Sequence, residues 1–312
     1  MLLAQLTLVA AAAFSAEDPK PDELPCDWAV GTKYHVEFTK AREDIEEGKP
    51  TKRNSSLTPI DVEVLAKRDD GYTYRWTFTK PIIQTGAPLP GSLIDKMTGL
   101  VDGMQLDLLA DESGSITALA DPAAMDAHFE RTSKVLMHEI VAKGELAANE
   151  LASLKKAVSS MKGPTFQASY LNFPRLFYMP SGAALILGEK REYEDELPNP
   201  FGGEPLPSKA YLVLTKVDKS AGEVVIDWRQ TIDPAKAGPI LEASIREFTK
   251  RSGQELPKEA TLNFDAIEDA STYVYDLATG LPKSVVNSRT TMMAGRRRVD
   301  SHEFKVTPIA AK

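Results

Sequence analysis

Few residues in this chain are spaced for covalent chemistry. A phosphate-cradling GxxxxGK[ST] loop is absent, and so is the GxSxG elbow that presents a hydrolase serine. His138-Glu139 opens like a zinc-binding helix, but Ala142 stands where a second histidine would ligate one turn on. The four histidines, at 35, 128, 138 and 302, show no ligand spacing. His128 and His138 fall on one expected helix, roughly 15 Å apart at helical rise. The expectation is no metal, no cofactor and no catalytic residues.

Carboxylates occur in two runs: Glu43, Asp44, Glu46 and Glu47, and Glu192, Glu194, Asp195 and Glu196. A general acid needs a carboxyl raised by burial, and runs of adjacent acids at exposed turns provide the reverse. Both are read as solvated hairpin tips, without the alternating spacing of a calcium loop. Arg296-Arg297-Arg298 is the dense basic cluster. On a strand its members alternate between faces, so cross-strand pairing with carboxylates is expected. Asn54-Ser55-Ser56 fits the short glycosylation pattern, which matters only in a eukaryotic secretory pathway. The remaining candidates are aromatic. Tyr72, Tyr74, Trp76 and Phe78 share one strand face, and Trp228 occupies a matching place later in the chain. Two arrangements suit them: a core sealed by helices, or a partly uncovered concave sheet whose apolar groove takes a lipid-like ligand. They are the expected ligand-binding residues.

The elements that position these residues recur in two halves. Val62–Phe78 and Tyr211–Ile232 each read strand, charged turn, strand, with Trp76 and Trp228 at the same point of the second strand. Gly31-Thr32-Lys33 and Gly188-Glu189-Lys190 open both halves. Helical stripes follow, Leu93, Ile94, Met97, Leu100 and Val101 in one and, after a cap and proline at Asp233-Pro234, Leu241, Ile245 and Phe248 in the other, and then hairpins turning at Gly114 and Gly280. Period-two alternation through Tyr34, Val36 and Phe38, through Ile60, Val62 and Val64, and through Val224, Ile226 and Trp228 signals antiparallel sheet covered on one side. Between the halves, Asp121-Pro122 starts a helix carrying Met125, Phe129, Leu136 and Ile140. A second helix runs through Leu151, Leu154, Val158 and Met161 and ends at Gly163-Pro164.

Residues 2–16 contain no charge and end in small residues before Glu17 and Asp18, the pattern of a cleavable secretory signal. The run is too short to span a bilayer, and no later stretch is long and apolar enough. A net charge of −8 argues against general affinity for nucleic acid or anionic membrane. Cys26 is the single cysteine, so no internal disulfide forms, and charged residues separate it from the apolar run.

AVGTKY (29–34), LILGEKREY (185–193) and the closing YVYDLATGLPKSV (273–285) resemble a family of uncharacterised exported bacterial proteins, a domain of unknown function. The aromatic strand before D-x-x-T-G-x-P is similar in architecture to the periplasmic lipoprotein-carrier class, which implies a curved antiparallel sheet around helices and supplies no catalytic residues. The expected fold is α+β: large twisted antiparallel sheets from two similar halves with helices packed on one side. The expected divisions are a signal peptide at 1–16, a first β-rich repeat at 17–120, a helical connector at 121–163 and a second β-rich repeat at 164–312. The expected function is that of a periplasmic or secreted, non-enzymatic protein carrying an apolar or amphiphilic ligand. An envelope protein–protein interaction module is the alternative, and an unrecognised hydrolase a third.

Overall fold

Alternating sequence becomes one continuous sheet. A computed structural model describes residues 22–24, 28–85, 98–143, 163–197, 199, 204–251, 264–293 and 296–309, with 151–152, 155–156 and 159. The first half contributes β2 (Lys33–Glu46), β3 (Lys52–Arg68), β4 (Gly71–Phe78), β5 (Ile82–Thr85), β6 (Gln105–Ala110) and β7 (Ile116–Leu119). The second contributes β9 (Lys190–Leu197), β10 (Leu206–Asp218), β11 (Glu223–Ile232), β12 (Phe264–Asp276), β13 (Pro282–Met293) and β14 (Arg296–Pro308). The strand order is β7-β6-β4-β3-β2-β14-β13-β12-β11-β10-β9, with β5 added beside β3. A separate pair joins β1 (Asp22–Glu23) to β8 (Ala184–Leu185). Each half is an antiparallel meander, and the last strand of the second lies against the first strand of the other.

The register shows how closely the halves correspond. Gly31 and Gly188 both adopt positive φ, 86° and 81°. Each donates its N–H to a strand carbonyl, Val64 at 2.8 Å and Leu214 at 2.9 Å. At those same residues both strands slip register, between Val64 and Ala66 and between Leu214 and Lys216. Trp76 lies opposite Val62, and Trp228 opposite Leu212. A bulge re-aims a strand at the cost of one ladder position. Here the bulge carbonyl receives the glycine that starts the neighbouring strand.

Helices α1 (Pro122–Lys143), α2 (Pro164–Tyr178) and α3 (Pro234–Arg251) cover one face. The expected caps form: Asp121 Oδ1 accepts from Ala124 N–H at 3.0 Å, and Asp233 Oδ1 from Ala235 N–H at 3.1 Å. Gly163-Pro164, expected to end a helix, instead begins α2 with proline in its first turn, so the segment expected to open the second β-rich repeat starts with a helix. The stripe expected at 93–97 and most of the second connector helix, like residues 1–16 and Cys26, lie outside the described residues. The fold is thus α+β, with the expected sheets joined into a single one.

The main core lies between the sheet and α1 and α2. Phe177 and Tyr178 of α2 meet Trp76 at ring-centroid distances of 5.7 and 6.4 Å, and Tyr178 stacks on Tyr74 at 5.1 Å. Tyr34 and Tyr178 share a buried hydroxyl–hydroxyl hydrogen bond. Phe129 of α1 reaches Phe166 of α2 at 4.8 Å. A smaller core under α3 gathers Leu197, Leu206, Ile232, Ala237, Leu241 and Ile267.

Candidate functional site

Each antiparallel pair fixes which side chains stand side by side, so the helix-covered face can be followed in rows across the strands. The first row is apolar: Phe38 faces Phe304, Phe304 faces Val285, Val285 faces Tyr273, and Tyr273 faces Ile226. Two residues along each strand, about 7 Å further, the next row is polar. Lys40 faces His302, His302 faces Asn287, Asn287 faces Ser271, and Ser271 faces Trp228. The third row is charged: Arg42, Asp300, Arg289, Asp269 and Gln230 stand in sequence. Beyond it lies the small core under α3.

The middle row is linked by hydrogen bonds. His302 Nδ1 meets Asn287 Oδ1 at 3.0 Å, and Asn287 Nδ2 donates to Ser271 Oγ at 2.9 Å. Since the amide oxygen only accepts, Nδ1 carries the proton of the neutral ring. Burial pushes the imidazole down to about 4, with the charge of Lys40 adding to the effect and Asp300 opposing it. At the end of the row, Trp228 Nε1 donates to Tyr193 Oη at 2.9 Å.

Pairs of opposite charge make up the third row. Arg289 donates to Asp269 through Nε at 2.7 Å, and the Asp269 side chain is 5% exposed. Arg42 donates to Asp300 at 2.6 Å. Gln230 is buried and donates to Ser208 Oγ at 2.8 Å and Asp195 Oδ2 at 3.2 Å. Lys40 and Arg42 are exposed, and there the face opens to solvent. Although the Lys40 side chain reaches water, burial around its ammonium lowers its pKa, Arg42 lowers it further and Asp300 opposes both.

The aromatic residues chosen from sequence lie elsewhere or deeper. Tyr72, Tyr74, Trp76 and Phe78 are 3%, 0%, 0% and 5% exposed, and Trp228 is 6% exposed. The structure packs the first four beneath Trp28, α1 and α2 as core, not along an open groove. Trp228 alone adjoins the polar rows. Lys40, Asn287, Ser271, Asp269 and Gln230 were missed as a group. Their signal was available: each shares the inward phase of a strand whose apolar inward residues include Phe38, Val285, Tyr273 or Trp228.

The other candidates are placed as follows. Arg298 pairs with Asp44 at 2.8 Å and Arg296 with Glu46 at 3.6 Å, while Arg297 lies on the opposite face across from Ile45. The run from Glu43 is a hairpin end, as expected. The run from Glu192 is not a tip: it forms edge strand β9, whose charges discourage pairing with other chains. His35 binds Asp61 at 2.7 Å, and His128 binds the Leu100 carbonyl at 3.0 Å. Among the described residues, no group of three or more His, Cys, Asp or Glu is placed to hold a metal ion. No described helix is long and apolar enough to cross a membrane.

No family model matches the chain, and no curated protein does. A solved structure, "Lipid-protein interactions in lipovitellin", aligns with 92% of this chain at 8% identity and a TM-score of 0.43. The chain spans 26% of that protein's length. A likeness at that level bears on neither the activity nor the ligand of this chain.

Proposed function

We propose that this chain is an exported, non-catalytic protein that binds an amphiphilic ligand on the inner face of its second half. One observation carries the reading. Counted from the two tryptophans, Leu106 opposite Trp76 corresponds to Ser271 opposite Trp228. One inward position further, Phe78 corresponds to Gln230 and Met104 to Asp269. The first half shows that this architecture closes with apolar residues at all three positions. Burying polar groups there lowers stability relative to well-packed hydrocarbon, so their presence is better explained by recognition. Apolar, polar and charged rows within about 14 Å suit a ligand with an apolar body and a polar head.

Native mass spectrometry of the gently extracted protein tests the reading. A lipid-like adduct is expected on the wild type and absent from a folded Asp269→Met/Ser271→Leu/Gln230→Phe variant. Wild type found only as the bare chain overturns it. Export is tested separately, by an N-terminus at residue 14, 16 or 17 in the secreted protein.

The envelope-interaction reading has one observation of its own. Edge strand β9 exposes Glu192, Tyr193 and Glu194 beside a depression of ≈ 370 Å³ that Lys209, Tyr211 and Arg229 also line. In-cell crosslinking from β9 that recovers no specific partner removes this alternative.

A further inference from the structure

Among the described residues, four arginines along the open end of this face are held by carboxylates, and Lys40 is not. Arg42 is held by Asp300 at 2.6 Å, Arg289 by Asp269 at 2.5 Å, Arg298 by Asp44 at 2.8 Å and Arg296 by Glu46 at 3.6 Å. Lys40 makes no ion pair among the described residues. Its ammonium lies 5.6 Å above the ring of Phe173 in α2. That ring is 4.9 Å from Phe38 and 5.6 Å from His302. Lys40 therefore stands where the apolar row of Phe38 and Phe304 gives way to the hydrogen-bonded row of His302 and Asn287.

We infer that the amphiphile bound here is anionic, and that Lys40 pairs with its carboxylate or phosphate head while Phe38 and Phe173 contact the adjoining hydrocarbon. This rests on the binding reading proposed above and narrows its ligand class. The paired arginines are already neutralised and tied in place. The lysine amine, partly stripped of water and next to Arg42, gains most from an incoming negative charge. His302 is neutral and its Nδ1 proton is directed to Asn287, so Lys40 carries the positive charge of this row. The chain's net charge of −8 opposes adsorption to an anionic surface at large; a single headgroup at a local cation is a different interaction.

Calorimetric titration distinguishes the possibilities with four probes below their aggregation limits: dodecyl phosphate, dodecanol, dodecyltrimethylammonium and inorganic phosphate. Dodecyl phosphate is expected to bind about tenfold more tightly than dodecanol or the cationic amphiphile. Lys40→Met should erase that preference and leave dodecanol unchanged, and Lys40→Arg should retain most of it. Thermal unfolding of all three proteins shows that each is folded, so that a lost preference is not a lost fold. If dodecanol and the cationic amphiphile bind as well as dodecyl phosphate, or Lys40→Met binds it as wild type does, the anionic inference falls while amphiphile binding stands. If no amphiphile binds, both fall. Inorganic phosphate binding as tightly as dodecyl phosphate, and lost in Lys40→Met, retains the anion site but overturns the hydrocarbon contact.

Discussion

The two halves of the sheet present the same positions to the same side and fill them differently. Around Trp76 the face is dry, closed by Phe177 and Tyr178 and built from Leu106, Met104 and Phe78. Around Trp228 it carries Ser271, Asp269 and Gln230, tied to Asn287, Arg289 and Ser208. Shared bulges and shared glycine contacts show that backbone geometry does not demand the difference. The first half serves stability. The second half gives up hydrocarbon for buried, hydrogen-bonded polar groups, and its face opens to solvent only at Lys40 and Arg42.

The largest test of this contrast is truncation of each tryptophan. Trp76→Ala is expected to cost about 4 kcal/mol, since a fully enclosed indole leaves a cavity its aromatic neighbours cannot fill. Trp228→Ala should cost about 1 kcal/mol less, because small and polar neighbours such as Ser271 and Tyr193 admit water. Urea unfolding at neutral pH measures both. The reverse order would break the contrast between the apolar half and the half proposed to bind ligand.

Next comes the pair Asp269 and Arg289. Asp269→Ala leaves a half-buried guanidinium without its carboxylate and should cost about 2–3 kcal/mol. Replacing both by methionine, as Met104 stands in the first half, should restore stability to within about 1 kcal/mol of wild type. A double variant as unstable as the single one would mean that the pair is required by the fold, and the argument for recognition would lose its main support.

How much of this was readable in advance follows from the range of the forces involved. Alternation through Tyr34, Val36 and Phe38, or Tyr72 through Phe78, is local and gave the strands. Asp121-Pro122 and Asp233-Pro234 gave two helix starts for the same reason. The neighbour of β2 proved to be β14, through pairs such as Phe38 with Phe304, which no local pattern encodes. Helix α2 was missed because Pro174 and its dense aromatics obscure the period. The acidic run in β9 resembled a turn because its inward residues, Arg191, Tyr193 and Asp195, are themselves polar. The polar rows could be read strand by strand as inward positions that stop being apolar, yet only pairing shows that they coincide.

A smaller effect comes from pH. Burial holds the His302 imidazole neutral and pushes its pKa down to about 4, against the usual 6.5. The groups around it are Lys40 and Arg42 on β2, Asp300 on its own strand, Arg289 and Asn287 on β13, and the Phe173 ring on α2. The unfolded chain takes up this proton first as pH falls. The associated stability is therefore present above pH 6.5 and lost progressively between 6.5 and about 4. Between pH 7 and 5 the wild type should lose about 2 kcal/mol more than His302→Gln, read from urea midpoints. Equal losses would show that this imidazole is not held neutral by the row it belongs to.

The finest comparison sets two tyrosine hydroxyls against each other. Tyr178 is fully buried and hydrogen-bonds the hydroxyl of Tyr34, itself 2% exposed. Tyr193 is 37% exposed and accepts from Trp228 Nε1. Phenylalanine at 178 takes the partner from a hydroxyl that water does not reach, which should cost about 2 kcal/mol. At 193 water can take the place of the lost oxygen, so the same change should cost about 0.5 kcal/mol. The difference measures how wet each face is, independently of any ligand. Equal costs would mean that water reaches neither hydroxyl, and the proposal that the buried polar rows of the second half receive a polar head would lose support.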